Sequence, residues 1–251
     1  MISIQELSNR TKNHPLIIHI NPLGLLRIEK SNIDRFSSLN TLLNRVQDCG
    51  GNIAIPSYSY TYTKNEVYKI SSTPSELGAV SEYLRVNNDY KRTADANFSY
   101  LLFGERFSDK HLEVSDYSTF GDGSLIEEVF NKDGYLGVIG SVWEHLTEVH
   151  YIEKKLNVDY RFDKDFNGTS VNNKGKTIDS IITFFCRYLN SENSTSFKRL
   201  KKDLMLSGLI KTWKISEYNL KIEVVKAQEL LLFIKEKLLL DPGYLLKEIR
   251  K

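Results

Sequence analysis

The densest set of residues able to do chemistry lies between Glu144 and Glu153. Of the five histidines, His14, His19, His111, His145 and His150, only the last two share a helical stretch with carboxylates at fixed spacing. On a helix, Thr147, His150 and Glu153 follow one another at i, i+3, which lines a hydroxyl, an imidazole and a carboxylate along one stripe. A carboxylate beside one ring nitrogen fixes the tautomer and supports the imidazolium that forms when the other nitrogen takes a proton. That is what an amine nucleophile requires of a general base. A hydroxyl one turn away can donate to the oxyanion that develops in acyl transfer.

Other readings of these residues stay open. Glu148, Glu153, Lys154 and Lys155 also fit a solvated helix face carrying a bystander histidine. Glu144, His145, Glu148 and His150 are ligand types, but the two histidines stand five apart, whereas the helical zinc signature needs i, i+4, so no metal is expected. Cys49 and Cys186 read as buried thiols, and the apolar run around Cys186 argues against a nucleophile. The stretch Pro56-Ser57-Tyr58-Ser59-Tyr60-Thr61-Tyr62 fits either a half-exposed edge strand or a sugar-binding wall of flat rings and hydroxyls. The basic run over residues 198–214 is either a solvated face or an attractor of phosphate.

These residues need a scaffold, and the pattern supplies an α/β one. PLIIHI at residues 15–20 reads as a buried strand, residues 34–48 as a helix stopped by Gly50-Gly51, and Asn52 to Pro56 as the next strand. This strand-helix-strand unit favours a parallel or mixed sheet flanked by helices, with its strand ends facing a ligand crevice. Ser72-Thr73-Pro74-Ser75-Glu76 predicts a helix start running to Arg85. Strands are expected at Tyr100 to Phe103 and Leu136 to Ile139, a helix at Leu125 to Phe130, and an amphipathic helix over residues 141–156 carrying Val142, Leu146, Val149, Ile152 and Leu156. Ile222 to Leu240 reads as a packed helix. The expected organisation is a catalytic core over residues 1–170 and a mainly helical C-terminal segment over residues 171–251.

Composition is that of an ordinary globular protein: 251 residues, 41% hydrophobic and 26% charged. A net charge of +2 disfavours a nucleic-acid partner, and the lack of a leader or of a long apolar run points to a cytoplasmic protein without a membrane partner.

Taken in order, the motifs resemble the aminoglycoside 3-N-acetyltransferase family of coenzyme A-dependent N-acyltransferases. The quoted segments are IIHIN at 17–21, PSYSY at 56–60, TPSELGAVSEYLR at 73–85, RTADANFS at 92–99, FGDGS at 120–124, then Thr147, His150 and Glu153, and Tyr160-Arg161. The resemblance implies an α/β fold distinct from the other large acetyltransferase superfamily. It implies that His150 is the general base, Glu153 its supporting carboxylate and Thr147 a contact to the acyl oxygen. It further implies acyl-CoA contacts at His19, Asn21, Thr73 and Ser75, and acceptor contacts at Tyr58, Tyr60, Asp95 and Phe120. The co-substrate would be acetyl-CoA or a longer or hydroxylated acyl-CoA, with no metal.

Ile20-Asn21 replaces the paired serines of antibiotic-modifying members, and Asp95-Ala96 replaces their His-Pro. An Asp there resembles members in surface-polysaccharide pathways. With a sequence pI near 8.3, this leads to the expectation of a nucleotide-linked amino sugar as acceptor. The alternatives are an aminoglycoside 3-N-acetyltransferase, distinguished by an acidic acceptor pocket, and a non-catalytic sugar-binding module. A homodimer is compatible with the sequence, which does not fix the oligomeric state.

Overall fold

The computed structural model describes residues 1–28, 34–87, 90–140, 143–189 and 195–247. In chain order, helix α1 (Ile4–Thr11), strand β1 (Leu16–Ile20), helix α2 (Arg35–Asp48) and strand β2 (Ile53–Pro56) are followed by β3 (Tyr68–Lys69), α3 (Ala79–Val86), β4 (Lys91–Arg92) and β5 (Tyr100–Phe103). Next come β6 (Tyr117–Ser118), α4 (Leu125–Asn131), β7 (Tyr135–Ile139), α5 (Val149–Lys155) and the hairpin β8 (Arg161–Val171) and β9 (Thr177–Arg187). The chain continues through α6 (Lys198–Leu206), β10 (Lys211–Ile215), β11 (Leu220–Lys226) and α7 (Ala227–Leu240).

The main sheet has seven strands in the order β10-β11-β7-β1-β2-β5-β4. Its centre, β7-β1-β2, is parallel, as the strand-helix-strand unit predicts, and antiparallel strands flank it on both sides. The central strands are buried on both faces, which explains their unbroken apolar runs. Alternation sorts their side chains. Leu16, Ile18, Ile53, Ile55, Leu101 and Phe103 pack with α1, α2 and α3, whereas Ile17, Ala54, Tyr100 and Leu102 pack with α4 to α7. By the same period of two, His19 faces the α5 side together with Ile17, and Tyr100 arrives there from β5. A second sheet, β3-β8-β9-β6, is built on the hairpin, whose eleven paired positions run from Arg161↔Arg187 to Val171↔Thr177.

At the carboxyl ends of β1 and β7 the backbone turns pass very close together. A Cβ on Gly24 would lie 2.5 Å from the Gly140 backbone nitrogen, and Gly140 itself adopts φ +83°. Both positions therefore require glycine. The crevice at these strand ends is where an open α/β sheet receives its ligands.

Several expectations need correction. The helix expected from Thr73-Pro74 starts only at Ala79, after Gly78 at φ +97°, because the Ser72 and Thr73 amides both donate to Lys69 O and wind the segment into a turn. The helix expected over 141–156 is broken: Trp143–His145 form a single 3-10 turn, and α5 begins at Val149. Trp143 and Leu146 are both buried there, and Trp143 Nε1 donates to Glu223 Oε2 at 2.6 Å. Residues 141 and 142, hence Val142, lie outside the described residues.

The described residues of the range 171–251 are not mainly helical. They contain β9, β10 and β11, and the last two extend the main sheet across the expected boundary at 170. Leu220, Ile222 and Val224 are buried at a spacing of two, which is strand periodicity, so only Ala227–Leu240 of the expected C-terminal helix is helical. Cys49 is exposed and Cys186 half-buried, so neither is a core thiol. Residues 57–59 are buried and Tyr60 is half-buried, but they form no strand. Among the described residues no helix is long and apolar enough to cross a membrane.

Candidate active site

Helix α5 ends on Asn157 in the left-handed conformation at φ +53°, a helix stop that turns the chain back along its own helix. The return brings Tyr160 and Arg161 onto Glu153. Tyr160 Oη donates to Glu153 Oε1 at 3.0 Å, and Arg161 Nε lies 2.7 Å from Glu153 Oε2. An ionised carboxylate only accepts, so His150 Nδ1 carries the proton of its 2.6 Å bond to Glu153 Oε2, leaving Nε2 as the basic nitrogen. Arg161 Nη2 stands 3.5 Å from that nitrogen while Nη1 donates to Phe185 O. Burial pushes the Glu153 carboxyl up, but His150, Arg161 and Tyr160 outweigh it and hold the group ionised below its usual range. Phe120 stands edge-on to the imidazole at 5.5 Å and Phe197 packs on it at 5.8 Å.

His150 opens into a cleft of about 440 Å³. His19, Tyr58, Tyr60 and Thr147 line it as well, so five of the residues expected at the site meet in one place. Thr147 is not part of the helical stripe. It lies in the turn before α5, where its carbonyl accepts from His150 N at 2.9 Å and its hydroxyl donates to His145 O at 3.2 Å. Tyr60 adopts φ +52°, an unfavourable conformation for a tyrosine. It is held by the Ser59 and Tyr60 amides, both donating to Asn97 O.

The other expected residues are placed differently. Asn21 caps the 3-10 turn Pro22–Arg27 by accepting from Leu23 N and lines a neighbouring cleft of about 270 Å³ with Gly24, Gly140, Lys221 and Glu223. Thr73 Oγ1 accepts from Lys69 N, and Ser75 N donates to Glu82 Oε2. Neither lines the main cleft, although the next residues, Glu76 and Leu77, do. Asp95 is buried, accepts from the amides of Asn97 and Phe98 and from Thr119 Oγ1, and so braces its own loop. Burial lifts its carboxyl above the ordinary value despite those donors. Phe120 is buried beneath His150, outside the cleft surface.

One buried carboxylate next to the cleft is not singled out by the sequence. Glu148, which fits a solvated helix face by spacing, is fully buried. It accepts from His19 Nε2 at 2.8 Å and from Tyr100 Oη at 2.8 Å, and the Tyr58 hydroxyl completes the chain 2.9 Å from that of Tyr100. Burial raises the Glu148 carboxyl, but the charge and hydrogen bond of His19 prevail and hold it below its usual range. Burial and the Glu148 charge push both tyrosines well above theirs. Only the i, i+5 pairing of Glu148 with Glu153 hinted in the sequence that the two carboxylates leave the helix on different sides.

The chain matches the family model described as aminoglycoside 3-N-acetyltransferase over residues 40–238. No curated protein matches the sequence. Among similar solved structures, the apoenzyme of aminoglycoside acetyltransferase AAC(3)-IVa is 18% identical with a TM-score of 0.68, covering 98% of this chain and 92% of that one. AAC-IIIb in a binary complex with CoASH is 13% identical with a TM-score of 0.69, covering 94% and 96%. AAC-VIa bound to sisomicin is 14% identical with a TM-score of 0.69, covering 94% and 97%. At these identities the likeness speaks for the shared fold. With the family match spanning most of its length, the chain belongs to the aminoglycoside 3-N-acetyltransferase family, N-acyltransferases that move an acyl group from coenzyme A to an amine.

Proposed function

We propose that the chain acetylates an amine of a polycationic amino sugar of the aminoglycoside type, with acetyl-CoA as donor and His150 as general base. One observation carries this reading. The cleft that holds His150 is also lined by Glu76 and Glu144, and no Lys or Arg is among its described lining residues. Carboxylates draw in and orient ammonium groups, whereas a nucleotide diphosphate needs cations.

The expectation of a nucleotide-linked acceptor rests on Asp95 and on overall charge; Asp95 braces its own loop, and the basic run lies elsewhere. Of residues 195–214, only Thr195 and Phe197 line the cleft, Arg199 pairs with Asp241, and Lys211 donates to Gly208 O. The sisomicin complex of AAC-VIa and the CoASH complex of AAC-IIIb agree with the assignment of acceptor and donor.

In the reaction, the acceptor amine attacks the thioester carbonyl and His150 Nε2 takes its proton. Glu153 holds the ring by Nδ1 and balances the imidazolium. Arg161 and Tyr160 fix Glu153 in turn. The Thr147 hydroxyl, which donates to His145 O at 3.2 Å, turns to donate to the oxyanion. Half-buried Tyr60 gives the sugar a flat wall, with Tyr58 buried behind it. The donor approaches over His19 and Asn21 at the end of β1, where Lys221 of the adjoining cleft supplies a cation for its phosphates.

The test is release of coenzyme A thiol from acetyl-CoA with aminoglycosides, free amino sugars and nucleotide-linked amino sugars. Aminoglycosides should give the highest kcat/KM, and His150→Ala should abolish the signal. A nucleotide-linked sugar that outperforms every aminoglycoside would overturn the acceptor assignment.

A further inference from the structure

The mechanism above uses His150 and leaves a second buried histidine-carboxylate pair on the same cleft without a task. His19 and His150 are anchored in mirror fashion: His150 is held by Nδ1 and presents Nε2, whereas His19 is held by Nε2 and presents Nδ1. His19 Nδ1 has no hydrogen-bond partner among the described residues, and it is not sealed from the cleft that His19 lines. Such duplication is costly to build. Glu148 is fully buried, and a buried carboxylate requires a partner that compensates its charge. Among the described residues, its one ion-pair partner is His19. Tyr100 and Tyr58 donate to the carboxylate side of the pair but supply no charge.

We propose that His19, held as an imidazolium by Glu148, is the general acid that protonates the departing thiolate. The inference rests on the acetyl-transfer reading above. The steps balance. The amine nitrogen bonds to the carbonyl carbon and yields a proton to His150 Nε2. When the tetrahedral intermediate collapses, the C–S bond breaks, its electron pair stays on sulfur, and sulfur takes the proton from His19 Nδ1. The products are the amide and free coenzyme A thiol. His150 is left protonated and His19 neutral, and one proton passed from the first to the second through cleft water resets both.

Two histidines with opposite duties give one site both the acid and the base that the reaction uses at one pH. Glu148 is here a positioning residue, acting through His19. The titratable groups facing His19 are Glu148 from the turn before α5, Tyr58 from the loop after β2 and Tyr100 from β5, with Glu76, Glu144, His145 and His150 across the cleft.

The experiment is the pH profile of kcat, read by thiol release at saturating acetyl-CoA and aminoglycoside, for wild type, Glu148→Gln and Glu153→Gln. The base must be unprotonated and the acid protonated, so the ascending limb belongs to His150 and the descending limb to His19. Glu148→Gln preserves shape but removes the charge that holds the proton on His19. It should move the descending limb to lower pH and leave the ascending limb in place. Glu153→Gln should instead move the ascending limb.

His19→Asn, which keeps a donor near the Nδ1 position but cannot transfer a proton, should lower kcat by about 10- to 100-fold, the modest end expected when a thiolate leaves. If Glu148→Gln and His19→Asn raise KM for acetyl-CoA while kcat and both limbs stay put, His19 only binds the donor and the proposal is overturned. If wild type acylates no amine, the acceptor reading falls instead. In either case, NMR titration of the His19 ring reads the pair directly: its midpoint should lie at lower pH in Glu148→Gln than in wild type, and an unchanged midpoint overturns the proposal.

Discussion

His150 Nδ1 and Glu153 Oε2 are 2.6 Å apart on adjacent turns of α5, and the same carboxylate oxygen also lies 2.7 Å from Arg161 Nε. The imidazole is therefore aimed by a carboxylate that is itself clamped, and the rate should depend on each layer to a different degree. His150→Ala removes the base. General-base catalysis is worth about 100- to 10,000-fold, and an amine that must lose its proton to form the amide draws on the upper part of that range. We expect kcat in the thiol-release assay to fall by that factor while thermal unfolding stays near wild type, since the ring is half-buried at the cleft wall. A variant that keeps wild-type kcat near neutral pH would remove His150 from the mechanism.

Arg161 and Tyr160 provide a graded test of the clamp. Arg161 is buried and carries the positive charge nearest Glu153 apart from His150, so Arg161→Ala leaves a buried carboxylate short of a partner. Breaking a buried pair in this way typically costs about 3–5 kcal/mol. Tyr160→Phe removes one hydrogen bond to Glu153 and should cost about 1–2 kcal/mol. Urea unfolding should rank the two variants in that order. Activity should follow the same order, because the carboxylate's position sets that of the ring.

The sequence foreshadowed one half of this site better than the other. His150 and Glu153 sit on one short helix, where i, i+3 spacing is itself the geometry, and Tyr160-Arg161 follow within a few residues. Glu148 could not be read that way, because its partner His19 is 129 positions away and only the β1–β7 pairing brings the two elements together. The broken helix before α5 has the same origin: apolar spacing is continuous through residues 142–156, but burial of Trp143 and capture of Glu148 by His19 override it. Parallel strands β1 and β2 were legible because both faces are apolar. Strand β11 was not, because Lys226 passes into Ala227 of α7 with no turn residue between, and its alternation merged with the apolar pattern of the helix. The β8–β9 hairpin escaped notice because β8 is largely exposed and polar, and the apolar run over residues 181–186 of β9 shows no alternation.

The acidic lining of the cleft should be visible in acceptor binding. Glu144 is exposed at the cleft, and Glu76 is paired with Lys64. Glu144 is thus the freer carboxylate for an incoming ammonium. An exposed charge pair is worth about 0.2–1 kcal/mol, so Glu144→Gln should raise KM for an aminoglycoside by no more than roughly fivefold. Its effect on kcat should be small, and the KM difference from wild type should shrink as salt is added. A rise in KM for acetyl-CoA, with the acceptor KM unchanged, would place Glu144 on the donor side of the cleft.

The last prediction concerns stability rather than turnover and rests on Glu128 of α4. Burial alone would raise its carboxyl, but hydrogen bonds from His111 Nε2 at 2.7 Å and Lys132 Nζ at 2.6 Å, together with their charges, take it from 4.5 down to about 2. A carboxyl depressed in the folded state contributes stability that is complete above its unfolded value and is lost as the pH falls through the folded one. The window is therefore about pH 4.5 to 2. At 1.36 kcal/mol per pKa unit the shift corresponds to about 3 kcal/mol at neutral pH, an upper figure because Lys132 is partly in solvent. Glu128→Gln keeps the shape of the carboxyl and removes its titration, so it should be less stable than wild type by about 2–3 kcal/mol at pH 6. Chemical denaturation repeated down to pH 2.5 should show that difference shrinking steadily. A gap that stays constant across the window would mean that shape and packing, rather than charge, account for what Glu128 contributes.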